Sequence, residues 1–217
     1  MNPSSASTSP SIVALTGSIG SGKSQAAEIF RECGAHILDA DVIAREVVLP
    51  GSKGLEAIKQ TFGEQYLLPT GELNRAKLGA LVFSKPEQRV KLEDILHPRI
   101  RELYLEKLSA LKSLSPAPKL IIYVVPLLFE SRYSYPEIDG IIVVSAPKAL
   151  SIERIMKRDN FTLEQAEKRY QSQMPIEEKE SKADFVIRND SSIENLKLIT
   201  RKLYAQLLQK PPTRKKR

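Results

Sequence analysis

At 217 residues, with 41% apolar and 27% charged residues, the chain is long enough to bury a proper core and is balanced like an ordinary globular protein. No apolar run approaches the roughly 20 residues of a membrane helix, and the one cysteine, Cys33, excludes an internal disulfide or a cysteine-built metal cluster, which suits a reducing, cytoplasmic home. Of the 33 basic residues behind the net charge of +7, five lie in the closing KPPTRKKR, leaving 28 against 26 acids; this near-neutral body argues against a nucleic-acid partner and suits an anionic small molecule.

Residues 1–10, MNPSSASTSP, lack the apolar segment of a secretory signal and read as a disordered lead-in. IVALT (12–16) is the first strand-like run, followed by the loop GSIGSGKS, the helical pattern SQAAEIFRECG and a second strand, HILD (36–39). From about 51 to 116 helix follows helix, LNRAKLGALVF and KLEDILHPRIRELYLEKLSALK among them; this is too much chain for one crossover and reads as a helical insertion. Strands return at KLIIYVV (119–125) and GIIVVS (140–145). Residues 154–182 are charged and poor in large apolar side chains, a helical flap expected to add little to the core, either a solvated hairpin or a mobile lid. DFVI (184–187) is a fifth strand, IENLKLITRKLYAQLLQ the last helix, and 210–217 a basic tail read as a solvated end. Near-continuous β-branched runs alternating with amphipathic helices predict an α/β fold, a doubly wound parallel sheet of about five strands. Its nucleotide core is expected at 11–50, 117–153 and 183–209 of a single domain, 11–209.

GSIGSGKS satisfies G-x-x-x-x-G-K-[ST] through Gly17, Gly22, Lys23 and Ser24, and it lies between a strand and a helix, as a phosphate-binding P-loop must. Glycines let several N–H groups turn toward one anion, and the helix that starts at the lysine adds the positive end of its dipole. The stretch Gly17, Ser18, Ile19, Gly20, Ser21, Gly22, Lys23, Ser24 and Gln25 is therefore the expected site for the phosphates of ATP, with Lys23 on the β/γ oxygens and the Ser24 hydroxyl on Mg²⁺. Neither N-K-x-D nor D-x-x-G occurs, which disfavours a GTPase, and the chain is short for a motor or helicase. A small kinase remains.

The second strand ends in LDADVIAREVV, expected beside the P-loop strand, where open α/β sheets bind ligands. Asp41 is a candidate to accept the proton of an attacking hydroxyl; Asp39 can orient that hydroxyl or serve as a helix N-cap. Arg45, one turn on, can meet an anionic acceptor or pair with a surface acid.

In order along the chain, GSIGSGKS, DADVIAREVV, PGSKGLEAI, GELNRAKLGALVF, LEDILHPRIR, VVPLLFES, RIMKRDN, YQSQM and ADFVIRN resemble the dephospho-coenzyme A kinase family. The resemblance spans nearly the whole chain, and the succession LNR, HP and PLLFE after DAD argues against a shikimate- or nucleoside monophosphate-type kinase. It implies transfer of the γ-phosphoryl of ATP, with Mg²⁺, to the ribose 3′-hydroxyl of dephospho-coenzyme A, with Asp41 as general base. It further implies acceptor contacts from Arg75, His97 and Arg101, catalytic charge from Arg154 and Arg158 in the lid, and roles for Gln173 at the acceptor and Asn189 near the adenine. The competing readings are ordinary ones: His97 as a partly buried helix-start histidine before Pro98, and the arginines as surface ion-pair partners. Two positions depart from the family's usual pattern, Ser18 in place of glycine and Val124 in place of a Walker B acid, which leaves Asp39, Asp41 or Glu130 as acids for the metal shell. A monomer or weak homo-oligomer without membrane partners is expected.

Overall fold

The computed structural model describes residues 9–131 and 133–213, so most of the expected N-terminal lead-in and the end of the basic tail lie outside the described residues. Five strands form one sheet: β1 (Ser11–Gly17), β2 (His36–Asp39), β3 (Leu120–Val124), β4 (Gly140–Ser145) and β5 (Phe185–Arg188), in the order β2-β3-β1-β4-β5. Each falls within a residue or two of a run read from the sequence. β1 pairs in parallel with β3 (Ser11 opposite Leu120) and with β4 (Val13 opposite Gly140), and β4 pairs in parallel with β5. Every residue of β1, β3 and β4 is buried, as expected for central strands covered on both faces.

The order corrects one expectation. β3 lies between β1 and β2, so the DAD strand is not the neighbour of the P-loop strand. The chain leaves β1 toward β2 and leaves β4 toward β5, so the connections diverge at the carboxyl ends of β1 and β4. That divergence is the switch point where such sheets hold ligands.

Two compact units divide the chain, one comprising residues up to Leu38 and from Leu114 onward, the other Asp39–Ser113. In the first, helices α1 (Lys23–Glu32) and α9 (Ile193–Gln209) pack together against one face of the sheet. Ala26, Ala27, Ile29 and Phe30 of α1 and Leu196, Leu203 and Leu207 of α9 meet Val13, Leu15, Ile122, Val124, Ile142 and Val144, all buried. The three- and four-residue spacing of these positions is what turns one stripe of each helix inward. Between β4 and β5 lie α6 (Lys148–Asp159), α7 (Leu163–Gln171) and α8 (Ile176–Ser181). α7 opens with a capping box, Thr162 Oγ1 accepting from Gln165 N and Gln165 Oε1 from Thr162 N. Despite its charge, this segment has a small core of its own: Ile152, Ile155 and Ala166, with Ile19, Met156 and Tyr170 packed on it.

The second unit is helical: α2 (Ala40–Glu46), α3 (Lys53–Phe62), α4 (Arg75–Ser84) and α5 (Pro86–Lys112), with α2, α3 and α4 each packed on α5. Ile43, Leu55, Ile58, Phe62, Leu78, Tyr104 and Leu108 are buried in it. Pro98 lies inside α5 rather than near its start, so His97 is a mid-helix residue and not the helix-start histidine of the simpler reading. A proline there removes the rung to Asp94 O; next to it the Arg99 guanidinium donates to Ile95 O (2.6 Å).

Candidate active site

β1 delivers the chain to Gly17 at its carboxyl end, and α1 begins six residues later at Lys23. Gly22 is the N-cap, in the left-handed region (φ 93°), and no side chain caps the helix. The first-turn N–H groups of Lys23, Ser24 and Gln25 are thus not taken by a capping side chain, and the turn carries no acidic residue to oppose an anion. Lys23 Nζ folds back over the loop and donates to Gly17 O (3.1 Å) and Ser18 O (3.4 Å), which holds the ammonium beside the helix N-terminus. Ser24 and Gln25 are exposed in the same turn. An uncapped helix end, a parked ammonium and an exposed hydroxyl form an anion cradle with a place for a hard cation.

The loop is held residue by residue. Ser18 is 3% exposed and lies near Tyr170 of α7, which packs with Ile19 on the α6–α7 cluster. Burial is the main reason the Tyr170 phenol sits above its ordinary pKa, Glu177 adds to the rise and the nearby Ser18 opposes it. Ile19 N donates to Gln173 Oε1 (2.8 Å), and its side chain packs into the α6–α7 cluster. Arg154 Nη1 donates to Gly20 O (3.3 Å), and Asn189 Nδ2, buried, donates to Ser21 O (2.9 Å). Asn189 is itself fixed through its backbone N–H to Ser145 O (2.7 Å) at the end of β4. Three successive loop residues, Ile19, Gly20 and Ser21, are therefore anchored before any nucleotide arrives, which is what preorganisation requires.

Gly20 shows why this loop tolerates so little side chain. Its φ is 78°, and a Cβ there would lie 2.4 Å from Ser151 O, a backbone atom of α6 that cannot swing aside. Gly20→Ala is therefore expected to raise the KM for ATP about tenfold or more and to cost upwards of ~1 kcal/mol in stability. Steady-state kinetics alongside a thermal melt checks both; an unchanged KM in folded protein would mean that the loop accommodates the methyl group.

The other residues singled out from the sequence take distinct places. Arg154 faces the loop, but Arg158 is paired with its neighbour Asp159 through two 2.8 Å bonds and is 63% exposed. That hydrogen-bonded pairing raises the Arg158 pKa and lowers that of Asp159. A surface pair of this kind is worth no more than about 1 kcal/mol, so a phosphoryl group can compete for the guanidinium. Gln173 and Asn189 each use a side-chain amide atom on the loop itself, so their observed contacts are to the P-loop backbone.

In the helical unit, Asp39 is the N-cap of α2, its Oδ1 accepting from Asp41 N (2.8 Å) and Val42 N (3.3 Å). Asp41 stands exposed in the first turn, where the helix dipole favours its negative charge. Arg45 occupies the last turn, its carbonyl accepting from Arg75 Nη2 (3.4 Å), and Glu46 ties α2 to α5 through Lys107 (2.7 Å). Arg75 is the first residue of α4, capped by Asn74 Oδ1 on Lys77 N (3.0 Å), so the LNR motif is in part a helix-start device. His97 and Arg101 are one turn apart on α5, and the Arg101 guanidinium lies 5.5 Å from the ring centre of buried Tyr104. Tyr170, which packs with Ile19 on the α6–α7 cluster, was missed by sequence reasoning. Its signal was its place in YQSQM, beside Gln173, in a flap too polar for a large aromatic to be idle.

A parallel sheet ordered 2-3-1-4-5, with a P-loop pattern after its first strand, is the P-loop nucleotide-binding fold. Shikimate kinase from Acinetobacter baumannii shares that fold, with a TM-score of 0.50 at 16% identity over 96% of this chain and 99% of its own. The family model for dephospho-CoA kinase matches residues 11–195, and the chain belongs to that family. It is 43% identical over 182 residues to the dephospho-CoA kinase of Listeria monocytogenes (84% of this chain, 90% of the relative) and 43% over 187 residues to that of Bacillus anthracis (86% and 92%). The solved dephospho-CoA kinase from Campylobacter jejuni superposes with a TM-score of 0.69 at 35% identity, covering 91% of this chain and 97% of its own.

Proposed function

We propose that the chain uses ATP to phosphorylate the ribose 3′-hydroxyl of dephospho-coenzyme A, giving coenzyme A and ADP, with the residues dividing the work as follows. The observation that carries the nucleotide half is the uncapped start of α1 behind a loop pinned at Ile19, Gly20 and Ser21. The amides from Gly17 to Gln25 hold the phosphates, and Lys23 moves from loop carbonyls to the β/γ oxygens. Ser24 offers a hydroxyl to Mg²⁺, whose charge, when it is bound, screens the phosphates. Val124, at the usual Walker B position, is 4% exposed and its side chain offers no oxygen, so it would not hold the ion. Glu130 Oε1 is engaged by Lys179, and Asp39 Oδ1 by the α2 amides.

The transfer forms a bond from the 3′-oxygen to the γ-phosphorus and breaks the bond from that phosphorus to the β,γ-bridging oxygen. Asp41 takes the hydroxyl proton, while Arg154, with Arg158 once released from Asp159, meets the charge on the moving group. Arg45, Arg75, His97 and Arg101 are assigned to the acceptor, and Asn189 to the loop next to the nucleotide. Helices α6–α8 form the lid that keeps water, a competing acceptor, from the phosphoryl group.

The test is an acceptor panel with γ-labelled ATP. Label is expected in dephospho-coenzyme A and not in shikimate or nucleoside monophosphates; the reverse pattern would overturn the reading. Chelation of divalent metal should abolish turnover, and added Mg²⁺ should restore it, whereas turnover that persists in chelator would remove the ion from the scheme.

A further inference from the structure

PLLFE follows β3 and has no part in the chemistry above, yet its last two side chains both receive cations, one from α8 and one from the residue that caps the C-terminus of α8. Lys182 Nζ lies 5.9 Å from the Phe129 ring centre. Lys179 Nζ lies 2.7 Å from Glu130 Oε1, and the lysine side chain has no exposed surface. Burying an ammonium is costly unless an anion accompanies it, so the pair ties α8 to the end of β3. The same Glu130 Oε1 accepts from Met174 N (3.1 Å), in the turn between α7 and α8. Met174 directly follows Gln173, whose Oε1 caps Ile19 N in the P-loop, and Tyr170 lies near Ser18 one turn earlier. One carboxylate thus holds the turn that holds the loop.

We propose that Glu130 is a positioning residue for ATP: with Lys179 it fixes the α7–α8 turn, so that Gln173 keeps the P-loop in its phosphate-binding shape. The inference rests on the kinase reading, and it concerns ATP alone rather than the acceptor. A salt bridge serving only stability would leave the nucleotide affinity of folded protein unchanged. A latch acting through Gln173 raises the KM for ATP and leaves the KM for dephospho-coenzyme A alone.

The experiment is a double-mutant cycle on the full chain. It compares Glu130→Gln, Gln173→Ala and their combination, with Glu130→Gln/Lys179→Met as a neutral pair that leaves no unpartnered charge. Each single change and the neutral pair should raise the KM for ATP about tenfold, with kcat and the acceptor KM of the Glu130 variants within twofold. The Glu130/Gln173 combination should be no worse than either single change, because both break the same connection. Glu130→Asp should recover part of the loss. An unchanged KM for ATP in the neutral pair, effects that multiply to about a hundredfold in the combination, or loss of folding in the neutral pair would each overturn the proposal and leave Glu130 a stability element. Wild-type turnover of dephospho-coenzyme A in the same assay tests the kinase reading separately.

Discussion

Lys23→Ala is expected to lower kcat/KM roughly 10²–10³-fold, the usual loss when one preorganised charge or donor is taken from a developing anion. Lys23 Nζ now rests on Gly17 O and Ser18 O, two neutral acceptors that any polyphosphate outbids. Charge builds on the β,γ-bridging oxygen only as the phosphoryl group departs, so the ammonium gains most in the transition state and the loss should fall mainly on kcat. The fold should survive, because α1 keeps its buried stripe of Ala26, Ala27, Ile29 and Phe30. Lys23→Arg should not restore activity, since a planar guanidinium does not fit where a compact ammonium sits within the loop. Steady-state kinetics with a thermal melt decides the matter; near-normal kcat in folded Lys23→Ala would remove the lysine from the mechanism.

Asp41→Asn is the second large effect, expected at roughly 10²–10⁴-fold in kcat, the range for a lost general base. The change is nearly isosteric and exposed, so it removes the proton acceptor without disturbing packing. Asp39 supplies the control, because its Oδ1 caps α2. Asparagine caps about as well as aspartate, so Asp39→Asn should keep its stability, whereas Asp39→Ala should cost about 1 kcal/mol. If Asp39→Asn loses turnover and Asp41→Asn keeps it, the two roles are exchanged. A coupled ADP assay on both variants distinguishes these outcomes.

The Asp39 and Asp41 pair also shows where reading the chain stops. That DAD sits at a strand-to-helix junction was legible, because HILD is a short apolar run and the acids follow it directly. That β3 comes between this strand and β1 was not, because strand order depends on which edge a returning chain joins. The 154–182 segment was legible as helical and as adding little to the main core, but its own small cluster was not. Ile152, Ile155 and Ala166 are few and scattered in sequence, and they form a cluster only once α6 and α7 fold back and Ile19 of the loop closes it. Likewise, Gln173 and Asn189 were assigned to acceptor and adenine through resemblance, while their observed hydrogen bonds go to the loop backbone.

By itself the sequence determined the strands, the α/β class and the phosphate-binding loop, since each is set by local patterns: β-branched runs, helical periodicity, and glycines at fixed distances from one lysine. Tertiary structure alone decided the order of the strands and the anchoring of the loop by Arg154, Gln173 and Asn189. It also decided the pairing of Glu130 with a lysine 49 positions away. Hydrogen bonds and ion pairs between distant segments leave no periodic trace in a sequence, because their partners are chosen by the packing of the sheet and helices and not by spacing along the chain.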